Sequence, residues 1–147
     1  MDDNPNGSRP GALRLALPCE LSAVRAAGRT VHAFLADLGC AQDDIVATEL
    51  AFVEACNNAV QYATGPQRDQ PVQVEVCCDP KEITLQITDH TSGFIWRHRP
   101  PFPPPESEGG RGLPIIQALT DHAEYRQSPG GNILSLRKAR SLNHTQL

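Results

Sequence analysis

Three short clusters in this chain carry residue types whose chemistry exceeds what folding alone requires. Gly109-Gly110-Arg111-Gly112 runs directly into a helical pattern with Pro114 in its first turn. Glycines ahead of a helix N-terminus let backbone N–H groups approach an anion closely, which is a common way of holding phosphate. Glu54 and Asn58 are four residues apart within a helical repeat, so a carboxylate and a carboxamide project from one helix face. Asn57 lies beside them, and paired asparagines inside a helix are unfavourable for it and usually have another use. Asp89 ends a strand pattern and opens Asp89-His90-Thr91-Ser92-Gly93. Taken singly, each cluster also suits a plainer role: a solvated helix face, a turn, the end of a flexible loop.

The elements that must position these residues follow from periodicity. Leu13, Leu15 and Leu17 alternate with Arg14 and Ala16 as a short strand. Leu21, Val24, Val31, Phe34, Leu35 and Leu38 recur at helical spacing, and Gly39 stops that helix. A second helix begins at Asp43 and Asp44 and reaches Tyr62, with Val46, Leu50, Val53 and Val60 as its expected apolar stripe. Thr64-Gly65-Pro66 ends it. Val72–Cys78 and Ile83–Ile87 alternate around Asp79-Pro80 as a hairpin with one buried face.

From Arg97 to Gly112 five prolines precede three glycines, which excludes regular structure and makes a loop long enough to need a functional reason. Leu113–Leu119 resumes as a short helix, and Ala123–Gln127 with Asn132–Lys138 form a second hairpin. Residues 1–12 and the tail from Ala139 are expected to be flexible ends. The order predicts an α+β two-layer sandwich, a mixed and mostly antiparallel sheet with helices on one face.

Composition narrows the function. At 147 residues the chain suits one domain, 13 to 138, and no apolar run approaches the roughly 20 residues that cross a bilayer. Met1–Arg9 has no basic start or apolar middle, so the expected location is the cytoplasm, with no membrane partner. A net charge of −4 without any block of Lys or Arg argues against direct nucleic-acid binding. Five irregularly spaced cysteines read as reduced thiols, without the spacing of a zinc site.

The order of the three clusters resembles the three sequence boxes of the histidine-kinase-like (GHKL, or Bergerat) ATPases, most closely their anti-sigma-factor serine kinase branch. Glu54 and Asn58 match Glu-x-x-x-Asn on a helix, Asp89 and Gly93 match Asp-x-Gly-x-Gly, and Gly110 and Gly112 match Gly-x-Gly before a helix. Gly-Gly-Arg-Gly-Leu-Pro followed by a Pro-Gly-Gly hairpin is close to the wording of this branch, and the likeness spans Leu13–Lys138. Two positions depart. Thr91 replaces the first glycine of the second box, and Tyr62 stands where the branch often has His.

The resemblance implies roles. Asp89 would accept a hydrogen bond from the adenine amino group of ATP, with Gly93 shaping the turn beside it. Asn58 would ligate Mg²⁺ through its amide oxygen. Gly110, Gly112 and Leu113 would meet the phosphates, Arg111 would reach the γ-phosphate or an acidic partner, and residues 97–112 would form a lid. Glu54 would be the base in phosphoryl transfer.

The implied protein is a homodimeric ATP-dependent serine kinase. It phosphorylates an anti-sigma-factor antagonist with a STAS domain and otherwise sequesters a sigma factor. The alternative is a nucleotide-dependent binding module without kinase activity, which has no need of Glu54 as a base. A two-component sensor kinase is disfavoured because both long helices are used by the sandwich, which leaves His32 as a helix-surface residue.

Overall fold

The structure, a computed structural model, describes residues 11–93 and 112–141. Strands β1 (Ala12–Leu17), β2 (Val72–Cys78), β3 (Glu82–Asp89), β4 (His122–Ser128) and β5 (Gly131–Ala139) form one sheet in the order β1-β2-β3-β5-β4. Helices α1 (Leu21–Asp37), α2 (Gln42–Tyr62) and α3 (Gly112–Leu119) cover one face, and a 3₁₀ turn occupies Gly65–Asp69. The α+β sandwich is as expected. Every neighbouring strand pair is antiparallel, whereas the sequence suggested a mixed sheet. The β4–β5 hairpin sets β5 beside β3; had β4 come straight off α3 onto β3, that pair would have been parallel.

The buried face of the sheet carries Val72, Val74, Val76, Ile83, Leu85, Ile87, Leu134 and Leu136, matching the alternation in sequence. Helix α2 is different. Its buried residues are Asp44, Ile45, Thr48, Ala51, Phe52, Ala55, Cys56, Ala59 and Val60, while Val46 and Leu50 are exposed at 42% and 49%. The expected stripe through Val46 and Leu50 is therefore corrected by a rotation of the helix. The cause lies in its surroundings: α2 packs against α1, α3 and the sheet at once, and alanines bring it close to all three. A Cβ on Gly28 of α1 would come within 3.0 Å of Val53 Cγ2, so glycine permits the close crossing of α1 and α2. His32 Nδ1 lies 3.3 Å from Glu49 Oε1 across the same crossing, at the helix surface.

The described residues of both terminal segments are tied to the fold. Gly11 accepts a hydrogen bond from Cys78 N at 2.8 Å, and Ala12 opens β1, so these two residues leave the expected flexible N-terminus. The tail expected from Ala139 is likewise corrected over its first three residues. Ala139 ends β5, and Arg140 Nη1 donates to Asp79 O at 2.9 Å. Ser141 donates to Asp44 through its N–H at 2.6 Å and its hydroxyl at 2.9 Å.

Asp44 was expected as a helix-start residue; it sits in the first turn, is only 1% exposed, and also has Lys138 Nζ at 3.8 Å. A buried carboxylate requires donors, and Ser141 and Lys138 supply them. Asp44→Ala should cost about 1–3 kcal/mol in chemical denaturation and speed proteolysis at the C-terminal end. A stability within about 0.5 kcal/mol of the unmutated chain would show that this latch holds nothing.

Cys40 Sγ and Cys78 Sγ are in contact at 3.5 Å. Burial, then the neighbouring Cys40, push the Cys78 thiol up to about 11, and burial pushes Cys56 up further still, so both stay protonated at neutral pH. Among the described residues no helix is long and apolar enough to cross a membrane.

Candidate functional site

The C-terminal end of α2 is tied down by Arg68, whose guanidinium donates to the carbonyls of Val60, Ala63 and Cys19 at 3.0–3.4 Å. Cations satisfy the unpaired carbonyls of a helix end well. Just beyond, Gln67 Nε2 donates to Ser92 Oγ at 3.4 Å, which brings the end of α2 to the Asp89–Gly93 turn. Glu54, Asn57 and Asn58 occupy the last two to three turns of α2 and are half-buried. Glu54 and Asn58 share a face distinct from the one that carries Phe52, Ala55 and Ala59.

Asp89 is the last residue of β3 and only 9% exposed. Its Oδ1 accepts three hydrogen bonds, from Thr91 N at 3.0 Å, Thr91 Oγ1 at 2.8 Å and Asn132 Nδ2 at 2.9 Å. None of the three goes to Oδ2. Gly93 has φ +84°, and a Cβ there would lie 2.0 Å from Gln127 Nε2 and 2.8 Å from Tyr125 Oη. The positive φ therefore calls for glycine.

Asn132 escaped the sequence reading. It is 5% exposed, faces Asp89 across the β3–β5 ladder, and donates also to Thr91 O at 2.8 Å. A signal existed, since Asn is depleted in strands and this one follows directly on a Gly-Gly turn.

The third cluster is described only in part. Gly110, Arg111 and the lid before Gly112 lie outside the described residues. Gly112 opens α3, Leu113 is half-buried, and Pro114 is buried in the first turn as expected. Helix α3 packs along α2 and ends at Leu119, near the start of β4 at the opposite end of the sheet from Asp89. Eight residues span about 12 Å, which carries its N-terminus back from that far end. A concavity of about 480 Å³ lies elsewhere, on the open face of the sheet between Arg14, Glu75 and Gln86. None of the box residues lines it.

This order of helix, strand-end carboxylate and glycine-led helix coincides with a match of residues 17–138 to the histidine kinase-like ATPase domain. The chain belongs to that family. Its relatives put it in the anti-sigma-factor serine kinase branch. The serine-protein kinase RsbW of Bacillus velezensis is 25% identical over 127 residues, covering 80% of this chain and 79% of the relative. That of Bacillus licheniformis is 26% identical over 110 residues, covering 69% of each.

Among solved structures, the RsbU and RsbW domains of Rv1364c from Mycobacterium tuberculosis superpose with a TM-score of 0.69 at 18% identity. That likeness covers 92% of this chain and 34% of the longer one. The SiaB-SiaC complex from Pseudomonas aeruginosa includes a chain that superposes with a TM-score of 0.59 at 13% identity, covering 86% of this chain and 89% of that one. Both structures speak for the fold.

Within a histidine kinase-like ATPase domain the arrangement can hold a polar heterocycle at Asp89, a hard cation at a carboxamide such as Asn58, and an anion at the start of α3. Thr91, the departure from the second box, is built into the Asp89 network by both its N–H and its hydroxyl. Tyr62, the other departure, is 49% exposed at the end of α2, and nothing in the structure explains its exchange for His.

Proposed function

We propose that this chain is an ATP-dependent serine kinase and anti-sigma factor. It phosphorylates a serine on an anti-sigma-factor antagonist of the STAS type, and in the unphosphorylated partner's absence it sequesters a sigma factor. It does so as a cytoplasmic homodimer. The single observation that carries the nucleotide reading is the saturation of Asp89 Oδ1 by three donors, with all three bonds on one oxygen. Oδ2 is then the acceptor for the exocyclic amino group of adenine. Guanine presents a carbonyl at that place and would set two acceptors against each other.

Asn58 fits Mg²⁺ by the hardness of its amide oxygen and its half-buried place on the helix face next to Glu54. Bound there, the cation would supply charge neutralisation between the phosphates. Gly110 and Gly112 would offer backbone N–H groups to those phosphates, joined by Leu113 N–H, and Arg111 would approach the γ-phosphate. Glu54, one turn before Asn58, would accept the proton of the attacking serine hydroxyl. The relatives named as serine-protein kinases support this reading of the whole.

The test is Asp89→Asn. Its amide oxygen can keep the three inward bonds, which turns the NH₂ toward the base and sets donor against donor. ATP affinity should fall by about 1.5–3 kcal/mol, the worth of a hydrogen bond to a charged group, while GTP affinity should rise because its carbonyl now faces a donor. Calorimetric titration reads both, and equal ATP and GTP affinity in the unmutated protein would sink the assignment of Asp89.

A further inference from the structure

Thr91 stands where glycine is usual in this family, yet it is hydrogen-bonded to Asp89, Gly93 and Asn132 at once. Its N–H and its hydroxyl both donate to Asp89 Oδ1, at 3.0 and 2.8 Å. The hydroxyl oxygen in turn accepts Gly93 N–H at 3.0 Å. A hydroxyl has one proton to give, and Asp89 can only accept, so the direction is settled: Gly93 N–H to Thr91 Oγ1–H to Asp89 Oδ1. Asn132 closes the ring, with one Nδ2 donating to Asp89 Oδ1 at 2.9 Å and to Thr91 O at 2.8 Å. The carboxylate, Thr91 and Asn132 thus form one connected network at the end of β3.

The second torsion of an aspartate is broad and roughly two-fold, so an unrestrained carboxylate samples orientations that present either oxygen or both. Glycine at position 91 would retain the backbone donor and lose the hydroxyl. We propose that Thr91 is a positioning residue, whose hydroxyl relay from Gly93 locks Asp89 so that a single oxygen faces the nucleobase and sets the preference for adenine. This rests on the reading of Asp89 as the adenine acceptor. Thr91 does not touch the nucleotide; it acts through Asp89. The relay also ties the lock to Gly93, in the turn that follows β3, so a change in that turn is felt at the carboxylate.

Two substitutions of nearly equal size separate the hydroxyl from packing. Thr91→Val keeps the branched shape and the backbone N–H and removes the relay; Thr91→Ser keeps the relay and removes the methyl. Titrating each with ATP and with GTP, the ratio of affinities should fall about tenfold in Thr91→Val and return to the unmutated ratio in Thr91→Ser. Thermal melts accompany the titrations, because loss of fold would lower both affinities together and leave the ratio unchanged. An unchanged ratio in a folded Thr91→Val overturns the proposal.

The underlying reading fails differently, with an unmutated protein that does not prefer ATP at all. In that event the lock is still read without nucleotide. The Thr91 hydroxyl proton should give a slowly exchanging NMR signal that disappears in Thr91→Val, and its absence from the unmutated protein would refute the lock itself.

Discussion

Replacing Glu54 by Gln is expected to lower phosphotransfer to the cognate antagonist by roughly 10²–10⁴-fold, the range for a positioned acid or base, with ATP affinity nearly unchanged. Gln keeps the length of the side chain and its place on α2 but offers no basic oxygen. Asn58 and Asp89, the proposed contacts to cation and base, are untouched, and a complex with the sigma factor should still form. Transfer of a phosphoryl group depends mostly on positioning and charge neutralisation, so a residual rate should remain. Single-turnover transfer from labelled ATP to purified antagonist, run beside an ATP titration of the same variant, separates the two quantities. Transfer at the unmutated rate would remove Glu54 from the role of base. If the unmutated protein binds ATP yet transfers phosphate to no antagonist of its own organism, the nucleotide-dependent binding module becomes the better account.

The second large effect concerns the rotation of the helix that carries Glu54 and Asn58. Phe52 is fully buried, 0% exposed, whereas Leu50, two residues away, is 49% exposed. Phe52→Ala should therefore destabilise the protein by about 3–5 kcal/mol through lost transfer energy and the cavity left behind. Leu50→Ala should stay within about 1 kcal/mol.

Denaturant titrations of the two variants give the comparison directly, and a Leu50 loss equal to that of Phe52 would mean that α2 is seated on the wrong face. The consequence reaches the site, because each residue turns a helix by about 100° and the seating of Phe52 decides where Glu54 and Asn58 point. A Phe52→Ala protein that stays folded should bind ATP more weakly, since a helix that shifts into its own cavity misplaces both side chains.

Local pattern was enough for much of this molecule. The alternation of Val72, Val74 and Val76 with Ile83, Leu85 and Ile87 specified the β2–β3 hairpin and its buried face, since strand period and turn chemistry are short-range properties. The same holds for the ends of α1 and α2 and for the glycine demanded at position 93. The three boxes were legible because their chemistry requires particular residue types at set spacings, whatever surrounds them.

What the sequence left open depended on contacts between distant segments. The face of α2 that is buried follows from three neighbours pressing on one helix, and alanines, which hardly register in an apolar count, decide how closely they press. Asn132 reaches Asp89 across 43 positions, and Ser141 reaches Asp44 across 97. No periodicity within either segment names such a partner. A buried carboxylate must find donors, but which donors it finds is settled only when β5 takes its place beside β3 and Ser141 comes to lie against the start of α2.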